Sequence, residues 1–391
     1  MKPSSAMTVP SAPATLLPSS SDGLPTPGGV AVPTSDGAAA RLAAEVEAYA
    51  ATSPAMTAAQ WHRVRARCAD AGPELGDLLD EAEASDGGKH LRPRLVAAAY
   101  FGFGGDDRAL LADVAGAQQL LHLGLCMHDD LIDGDRMRHG RANLIARYRA
   151  GDRAAGVGED AAERQAIAAG LLAGDLALNA ALLALLMVPA PLPVRHRLAV
   201  EATTALERTI AGELLDVRSE LLRPDLAMPL HVAELKTAVY SVSLPLRLGA
   251  IAAGVASIDE LRRLDRAGIA FGVAYQLADD DLGLFGSAEV TGKSVLSDVR
   301  QGKRTEHIRL AHLRAGRADR AALDAVLGMA TATDHDADLV RDIVLRTGAR
   351  DEVATTIDEL ITRGIRLADD LPASLAAYLA TLAGSMRSRT R

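Results

Sequence analysis

Aromatic residues are scarce in this chain: they make up 3% of its 391 residues, whereas alanine and leucine abound. Aromatic and β-branched side chains favour strands, while Ala and Leu are strong helix formers. The composition therefore favours a helical protein over one built on a sheet. A hydrophobic fraction of 49% supplies enough apolar side chains for a large core.

Cysteine is nearly absent, because the chain has only Cys68 and Cys126. Two isolated cysteines provide neither the spacing of a metal site nor a disulfide framework. Cys126 lies in an apolar run and is expected to be a small core side chain. These features fit a reducing compartment, and we expect a cytoplasmic protein.

Excess positive charge and long uninterrupted apolar runs are also missing. The net charge of −9 argues against a general nucleic-acid-binding protein, although local basic residues can still bind an anionic substrate. The N-terminus has one lysine and several prolines and does not resemble a signal peptide. The longest apolar stretch, 176–194, contains Asn179 and three prolines, so it predicts a buried helix and no transmembrane segment.

The sequence divides into two parts. Residues 1–38 are rich in Pro, Ser, Ala and Gly, and we predict a disordered tail with too little apolar surface to fold. Residues 39–391 show helical periodicity without sustained strand alternation, which predicts a single all-α domain. Gly- and Pro-rich breaks separate the helices, including one across 286–302, and the pattern predicts a helix over 140–149. Long helices such as 107–133 are expected to surround one central cavity.

An abrupt acidic cluster follows the apolar run 120–127 and consists of Asp129, Asp130 and Asp133. Positions i and i+4 share a helix face, so Asp129 and Asp133 can point into one cavity. Carboxylates are costly to bury without a positive partner, and clustered oxygen ligands suit Mg²⁺ better than Zn²⁺. A solvated helix end is the alternative, but a second acidic cluster at 279–281 favours a metal site.

Basic residues lie near both acidic clusters and at one further loop. The Gly-rich stretch 87–93 places Lys89 and Arg92 at the start of a helix, where free backbone N–H groups and the helix dipole suit a phosphate. Such an arrangement can hold Mg²⁺ between carboxylates and a phosphorylated ligand, with the cations on the remaining phosphate oxygens. The chemistry it favours is departure of a diphosphate whose charge the metal stabilises.

In combination and order, these motifs resemble those of the trans-isoprenyl diphosphate synthases, or polyprenyl synthetases, over nearly all of residues 41–391. The matching motifs are DDxxD at Asp129–Asp133, its second copy at Asp279 and Asp280, GGKxxRP at Gly87–Pro93, KT at Lys236–Thr237, GxxxQ at Gly272–Gln276, GK at Lys293, and DxxxGK at Asp298–Lys303. The resemblance implies the all-α isoprenoid synthase fold, with helices around a central prenyl-binding cavity, and a homodimer. It also implies Mg²⁺-dependent head-to-tail condensation of isopentenyl diphosphate with allylic diphosphates.

The resemblance assigns roles to individual residues. The implied Mg²⁺ ligands are Asp129, Asp130, Asp133 and Asp279, with Asp280 close by. The residues implied to bind the allylic diphosphate are Arg138, Lys236 and Lys293. Those implied to bind isopentenyl diphosphate are Lys89, Arg92, His122 and, by its position, His139, and Lys303 joins the substrate-binding set. Thr237 and Gln276 would stabilise the developing allylic cation with Lys236 beside them, and the departing diphosphate would accept the proton.

Three positions depart from the family pattern. His139 stands where the family has the second of two arginines, the one that contacts isopentenyl diphosphate. A neutral imidazole donates fewer hydrogen bonds than a guanidinium and carries no charge. Gly283 replaces the fifth-position Asp of the second motif, and Glu213 replaces the Gln of a GQxxD motif.

Product length is read from the residues just before Asp129, which in this family include the floor of the product cavity. Gly124 and Leu125 stand five and four positions before Asp129, and neither is a large aromatic that would stop chain growth early. Leu121, one turn deeper, can form the floor. This pattern is most similar to geranylgeranyl diphosphate synthases, so we predict a twenty-carbon product and expect Gly124→Phe to shorten it.

Other functions remain open on the sequence. One alternative is a synthase of farnesyl or another chain length. Another is a class I terpene cyclase, but neither Asn143 nor Asn179 opens the metal-binding triad of such enzymes. A metal phosphohydrolase using His122, His128 and Asp129 would leave the second acidic cluster unexplained. The remaining alternative is a non-catalytic regulatory subunit of a prenyl synthase, which generally loses one of the two acidic motifs.

Overall fold

The computed structural model describes residues 35–286 and 296–387. Most of the predicted tail, 1–38, lies outside the described residues and stays a prediction. The described chain begins in a helix at Ser35, four residues before the predicted start of the helical part. The predicted substrate residue Lys293 also lies outside the described residues.

Helices form almost all of the described chain, which confirms the all-α prediction. They are α1 Ser35–Ala50, α2 Ser53–Arg67, α3 Pro73–Glu83, α4 Leu91–Gly102, α5 Arg108–Ile132, α6 Leu144–Ala154, α7 Glu159–Met187, α8 Leu192–Ser219, α9 Pro229–Val232, α10 Leu244–Ala252, α11 Ile258–Phe285, α12 Leu296–Gln301, α13 Glu306–Arg314, α14 Arg317–Val326, α15 Asp334–Arg346, α16 Ala349–Ala368 and α17 Ala373–Arg387. A 3₁₀ turn covers Pro224–Leu226, and a π-helical segment, Ala233–Ser243, joins α9 to α10.

The sequence prediction of a helix over 140–149 is only partly right. An antiparallel hairpin of two short strands, β1 Met137–Arg138 and β2 Arg141–Ala142, precedes α6. Asn143 caps α6, because its side chain accepts a hydrogen bond from the backbone N–H of Ala146 at 3.0 Å. The positive φ angles of His139 and Gly140 at the turn cannot continue a helix.

The core is built around α5, whose residues are buried along most of its length and which packs against α2, α4, α7 and α10. Small residues allow very close helix contacts. A Cβ on Gly249 of α10 would lie 2.2 Å from the carbonyl oxygen of Val96 in α4, and one on Gly212 of α8 would lie 2.3 Å from the backbone nitrogen of Lys236. The Gly212 contact fixes the π-helical segment against α8 and so places Lys236 at the centre of the fold.

Two helices, α5 and α7, are long and apolar enough to cross a membrane by length and composition alone. The most apolar window of α5 is 78% buried, as expected for the central helix of a core. The corresponding window of α7 is only 39% buried, so much of the apolar surface of α7 is exposed in the single chain.

The C-terminal end of α11 is fixed by a buried charged cluster. The Asp281 carboxylate, 5% exposed, accepts hydrogen bonds from Arg350 Nε at 2.9 Å and Nη2 at 3.0 Å. His307 Nε2 lies 3.2 Å from the same carboxylate, and the Arg350 guanidinium stacks 4.0 Å over the Phe285 ring. Burial alone would raise the pKa of Asp281, but the hydrogen bonds from His307 and Arg350 outweigh it and lower the pKa. Helices α13 and α16 thereby hold the turn of α11 that carries Asp279 and Asp280.

Arg350→Leu should destabilise the fold, because it leaves a buried carboxylate without its bidentate partner. We expect the free energy of unfolding in urea to fall by about 3 kcal/mol. Arg346→Leu is the matched control, since Arg346 is half exposed and pairs at the surface with Asp319 and Asp342. That control should cost about 0.5 kcal/mol. Equal losses in the two variants would contradict a buried clamp at Asp281.

Candidate active site

A cavity of about 1470 Å³ lies between the C-terminal parts of α5 and α11. The predicted site residues that line it are Lys89, Arg92, His122, Leu125, Asp129, Arg138, His139, Lys236, Thr237, Gln276, Asp279, Asp280 and Lys303. Asp130 and Asp133 are not among the lining residues, but they pair with Arg138 and Lys303, which are. Gly124 and Leu121 do not line it.

The first acidic cluster is neutralised by cations from three other parts of the chain. Arg138 Nη2 of the hairpin lies 2.8 Å from Asp129 Oδ2 and 2.7 Å from Asp130 Oδ1. Lys303 Nζ, which follows α12, lies 3.1 Å from Asp133 Oδ2. Burial would raise the pKa of Asp129, but Lys236, Arg138 and Lys303 outweigh it and hold that pKa below its usual range. Asp129 is therefore ionised.

Lys236 lies at the centre of a second group of carboxylates that sequence reasoning missed. Its Nζ is 2.8 Å from Asp216 Oδ2, 2.9 Å from Glu213 Oε2 and 3.2 Å from Asp129 Oδ1. Burial would lower the pKa of Lys236, but these carboxylates raise it, so the ammonium stays charged. The π-helical backbone at Lys236 is a local feature often found at functional sites.

Three of these acids are close enough to share a metal ion. Oxygen atoms of Asp129, Asp133 and Glu213 all lie within 4.8 Å of one another. An all-carboxylate donor set that borders an open cavity fits Mg²⁺, which keeps water and substrate oxygens in its coordination shell. The only sequence signal for Glu213 was that it replaces the Gln of the GQxxD motif. The sequence gives no indication that Glu213 lies close to Asp129.

The second acidic cluster is organised by a chain of hydrogen bonds. Thr237 Oγ1 donates to Gln276 Oε1 at 2.8 Å, and Gln276 Nε2 donates to Asp280 Oδ1 at 2.8 Å. Burial is the main cause that raises the pKa of Asp280 to about 7, because it outweighs the hydrogen bond from Gln276, and the neighbouring Asp298 and Asp279 act in the same direction as burial. Thr237 and Gln276 are thus held in fixed positions next to the acids.

Gly283, where the family has an acid, faces a carboxylate from another helix. A Cβ on Gly283 would lie 2.6 Å from Asp298 Oδ2 of α12. The Asp298 side chain therefore occupies the space that a larger residue at 283 would need. Asp298 thus places a carboxylate next to position 283, where this sequence has no acid of its own.

The basic side of the cavity is formed by α4 and its neighbours. Arg92 Nη2 donates to Ser241 Oγ at 2.8 Å, and its guanidinium lies 5.2 Å from the centre of the Tyr240 ring. The His122 ring stacks on the same Tyr240 ring, with ring centroids 6.1 Å apart. Burial lowers the pKa of His122 well below its usual value, and the positive charges of Arg92 and Arg138 lower it further. His122 is therefore neutral.

An apolar wall continues the cavity away from the charges. The apolar residues that line it include Leu125, Leu171, Ile210, Leu214 and Val217. Gly124 instead packs against α7: a Cβ there would lie 2.9 Å from the carbonyl oxygen of Gly174 and from Leu178 Cγ. Leu121 is fully buried in the core. The arrangement can hold an ionised phosphate group at one end and a hydrocarbon chain at the other.

Comparison with known proteins identifies the family. The polyprenyl synthetase family model matches residues 78–344. A (2E,6E)-farnesyl diphosphate synthase of Mycobacterium bovis is 33% identical over 285 residues, which cover 71% of this chain and 72% of that protein. A geranylfarnesyl diphosphate synthase of Aeropyrum pernix is 29% identical over 293 residues, which cover 73% of this chain and 85% of that protein.

A solved structure agrees with these relatives. The geranylgeranyl pyrophosphate synthase of Corynebacterium glutamicum, complexed with isoprenyl diphosphate and magnesium, superimposes with a TM-score of 0.81 at 28% identity. The match covers 87% of this chain and 98% of that one. The resemblance drawn from the sequence motifs is confirmed, and the chain belongs to the polyprenyl synthetase family of prenyltransferases.

Proposed function

We propose that the chain condenses isopentenyl diphosphate head to tail with allylic diphosphates in the presence of Mg²⁺, and that its main product is geranylgeranyl diphosphate. The observation that carries this proposal is the convergence of two acidic clusters and several cations on one cavity with an apolar wall. A diphosphate ester of a hydrocarbon matches both ends of such a cavity. The proposed catalytic domain comprises residues 39–391.

The carboxylates of the two clusters hold the metal in this proposal. Asp129, Asp130, Asp133 and Asp279 would be the ligands, with Asp280 close to them. When bound, Mg²⁺ supplies positive charge that stabilises the departing diphosphate. Asp129 is already ionised without it, because cations surround its carboxylate.

Two cations of this site are placed to bind the allylic diphosphate. Arg138 and Lys236 pair with Asp129 at 2.8 and 3.2 Å. In the proposal both side chains would form charge-assisted hydrogen bonds to the allylic diphosphate. Lys293 and Lys303 complete that group in the proposal.

The second diphosphate, that of isopentenyl diphosphate, is held by Lys89, Arg92 and neutral His122. The oxygens of Thr237 and Gln276 would lie beside the allylic carbon in the proposal, and their hydrogen-bond chain to Asp280 keeps them in place. Their dipoles stabilise the allylic cation as the carbon–oxygen bond breaks. The departing diphosphate then accepts the proton that isopentenyl diphosphate loses after the new carbon–carbon bond forms.

Product length is the finer part of the proposal, since relatives of the chain carry names of farnesyl, geranylgeranyl and geranylfarnesyl diphosphate synthases. Support for the twenty-carbon product comes from the aliphatic wall near the first cluster. Leu125 is the predicted length-controlling residue that lines the cavity.

The proposed enzyme acts as a homodimer. Support comes from the apolar side chains that α7 and α8 expose away from the cavity lining, which include Leu172, Leu183, Leu186, Met187, Val200 and Leu215. An apolar patch of this extent is typical of a protein interface, because burying it releases water from apolar surface. Two copies that pack these faces together would cover it.

The proposed reaction is tested with purified protein, isopentenyl diphosphate and dimethylallyl, geranyl or farnesyl diphosphate, with Mg²⁺ or with a chelator. We expect metal-dependent consumption of isopentenyl diphosphate and a twenty-carbon main product. Asp129→Asn and Asp279→Asn should each lower kcat by about 100-fold or more, because they remove a ligand of the metal that stabilises the leaving charge. Exposed Asp369→Asn is the control and should change nothing. No turnover would refute the proposed reaction, and farnesyl or much longer products would refute the length assignment alone.

Leu125→Phe should shorten the main product, because the larger ring fills part of the apolar wall where the growing chain lies. Gly124→Phe serves as a contrast. Its ring would collide with Gly174 and Leu178, so we expect a lower melting temperature in that variant. Gas chromatography of the dephosphorylated products measures both. An unchanged product distribution for Leu125→Phe would place the floor of the cavity elsewhere.

A further inference from the structure

The hairpin after the first acidic cluster places two arginines side by side. His139 and Gly140 form its two-residue turn, with φ angles of +52° and +72°, as a type I′ turn requires. Arg138 on β1 is paired directly with Arg141 on β2. Side chains of directly opposed residues lie on the same face of an antiparallel pair. Arg138 lines the cavity, and Arg141, on the same face of the hairpin, is exposed next to Gly87 at the rim of that cavity.

The hairpin lies against the glycine-rich loop that precedes α4. A Cβ on Gly87 would be 2.9 Å from Arg141 Nη2, and one on Gly88 would be 3.1 Å from His139 Nε2. Glycine at both positions thus leaves room for the guanidinium and the imidazole next to the loop backbone. The loop and these two side chains form one continuous surface.

The backbone of this loop is suited to an anion. The N–H groups of residues 88–92 have no hydrogen-bond acceptor among the described residues, and they lead into the first turn of the twelve-residue helix α4. Free N–H groups at a helix N-terminus attract negative charge. Lys89 and Arg92, from the same stretch, add positive charge.

Arg141 differs from the arginines that precede and follow it in and after the hairpin in having no acidic partner. Arg136, Arg138, Arg147 and Arg149 each pair with a carboxylate. Within the described part of the chain, the Arg141 side chain makes neither an ion pair nor a hydrogen bond. Its five N–H donors are therefore available to a ligand at the loop.

We propose that Arg141 binds the diphosphate of isopentenyl diphosphate and supplies the guanidinium that His139 lacks. The inference rests on the proposed function, because it assigns this loop to that substrate. The hairpin turn puts His139 over Gly88 and the longer Arg141 over Gly87, so the positive charge moves two positions along the chain while staying at the same loop.

Arg141→Gln tests this proposal with steady-state kinetics. We expect the KM for isopentenyl diphosphate to rise by about threefold to tenfold, the effect of one charge-assisted hydrogen bond that remains partly open to solvent. The kcat and the KM for the allylic substrate should stay within about twofold, because Arg141 does not contact the allylic site. Arg149→Gln also removes one positive charge but lies away from the loop, so it should leave every KM unchanged.

A relocation variant makes the test specific. His139→Arg combined with Arg141→Gln returns the guanidinium to position 139 and should recover most of the lost affinity for isopentenyl diphosphate. Calorimetric titration with isopentenyl diphosphate, without metal or allylic substrate, measures the same site without turnover, and Arg141→Gln should weaken binding by a similar factor. An unchanged KM, an equal effect of Arg149→Gln, or no recovery in the double variant would overturn the proposal. If the unmodified chain failed to consume isopentenyl diphosphate, the proposed function would be refuted, and the titration would still decide whether Arg141 binds the anion.

Discussion

Buried carboxylates must be compensated, and this constraint determines most of the structure around the cavity. Asp129 contacts two cations, Arg138 and Lys236, and the nearby Asp133 contacts Lys303. These cations come from the hairpin, the π-helical segment and the segment after α12, so the charges themselves draw separate parts of the chain together. These ion pairs compensate the charge of the acids inside the fold. In the proposed function, the same carboxylates would face metal and the same cations would face diphosphate.

The scarcity of aromatic residues has a structural counterpart. Helices made of Ala, Gly and Leu approach one another closely, as Gly249 does at Val96 and Gly212 does at Lys236. Close approach gives rigid positions for the charged side chains, while the aliphatic wall near Leu125 leaves room for a hydrocarbon. A buried clamp at Asp281 then fixes the last turns of α11 from the side opposite the cavity. Packing and function therefore depend on the same small residues.

Sequence reasoning predicted the helices and the two acidic clusters, because periodicity and motif spacing are local properties of the chain. It missed contacts made between distant segments. Glu213 beside Asp129, Asp298 beside Gly283, and Arg141 beside Gly87 each join residues that no spacing rule connects. The neighbours of Gly124 were hidden for the same reason, since tertiary packing decides which side of α5 faces α7. The departures from the family motif were visible in the sequence, but their neighbours appeared only in the fold.

The central claim is that the two acidic clusters and the cations paired with them form one metal–diphosphate site. A crystal structure with Mn²⁺ and inorganic diphosphate, analysed by anomalous scattering, tests it most directly. The account predicts metal at Asp129 and Asp133 and at Asp279, diphosphate bridging the two sides, and Lys236 and Arg138 moved from the carboxylates onto the diphosphate. Metal bound only elsewhere, or both cations still paired with Asp129 in the presence of diphosphate, would contradict it.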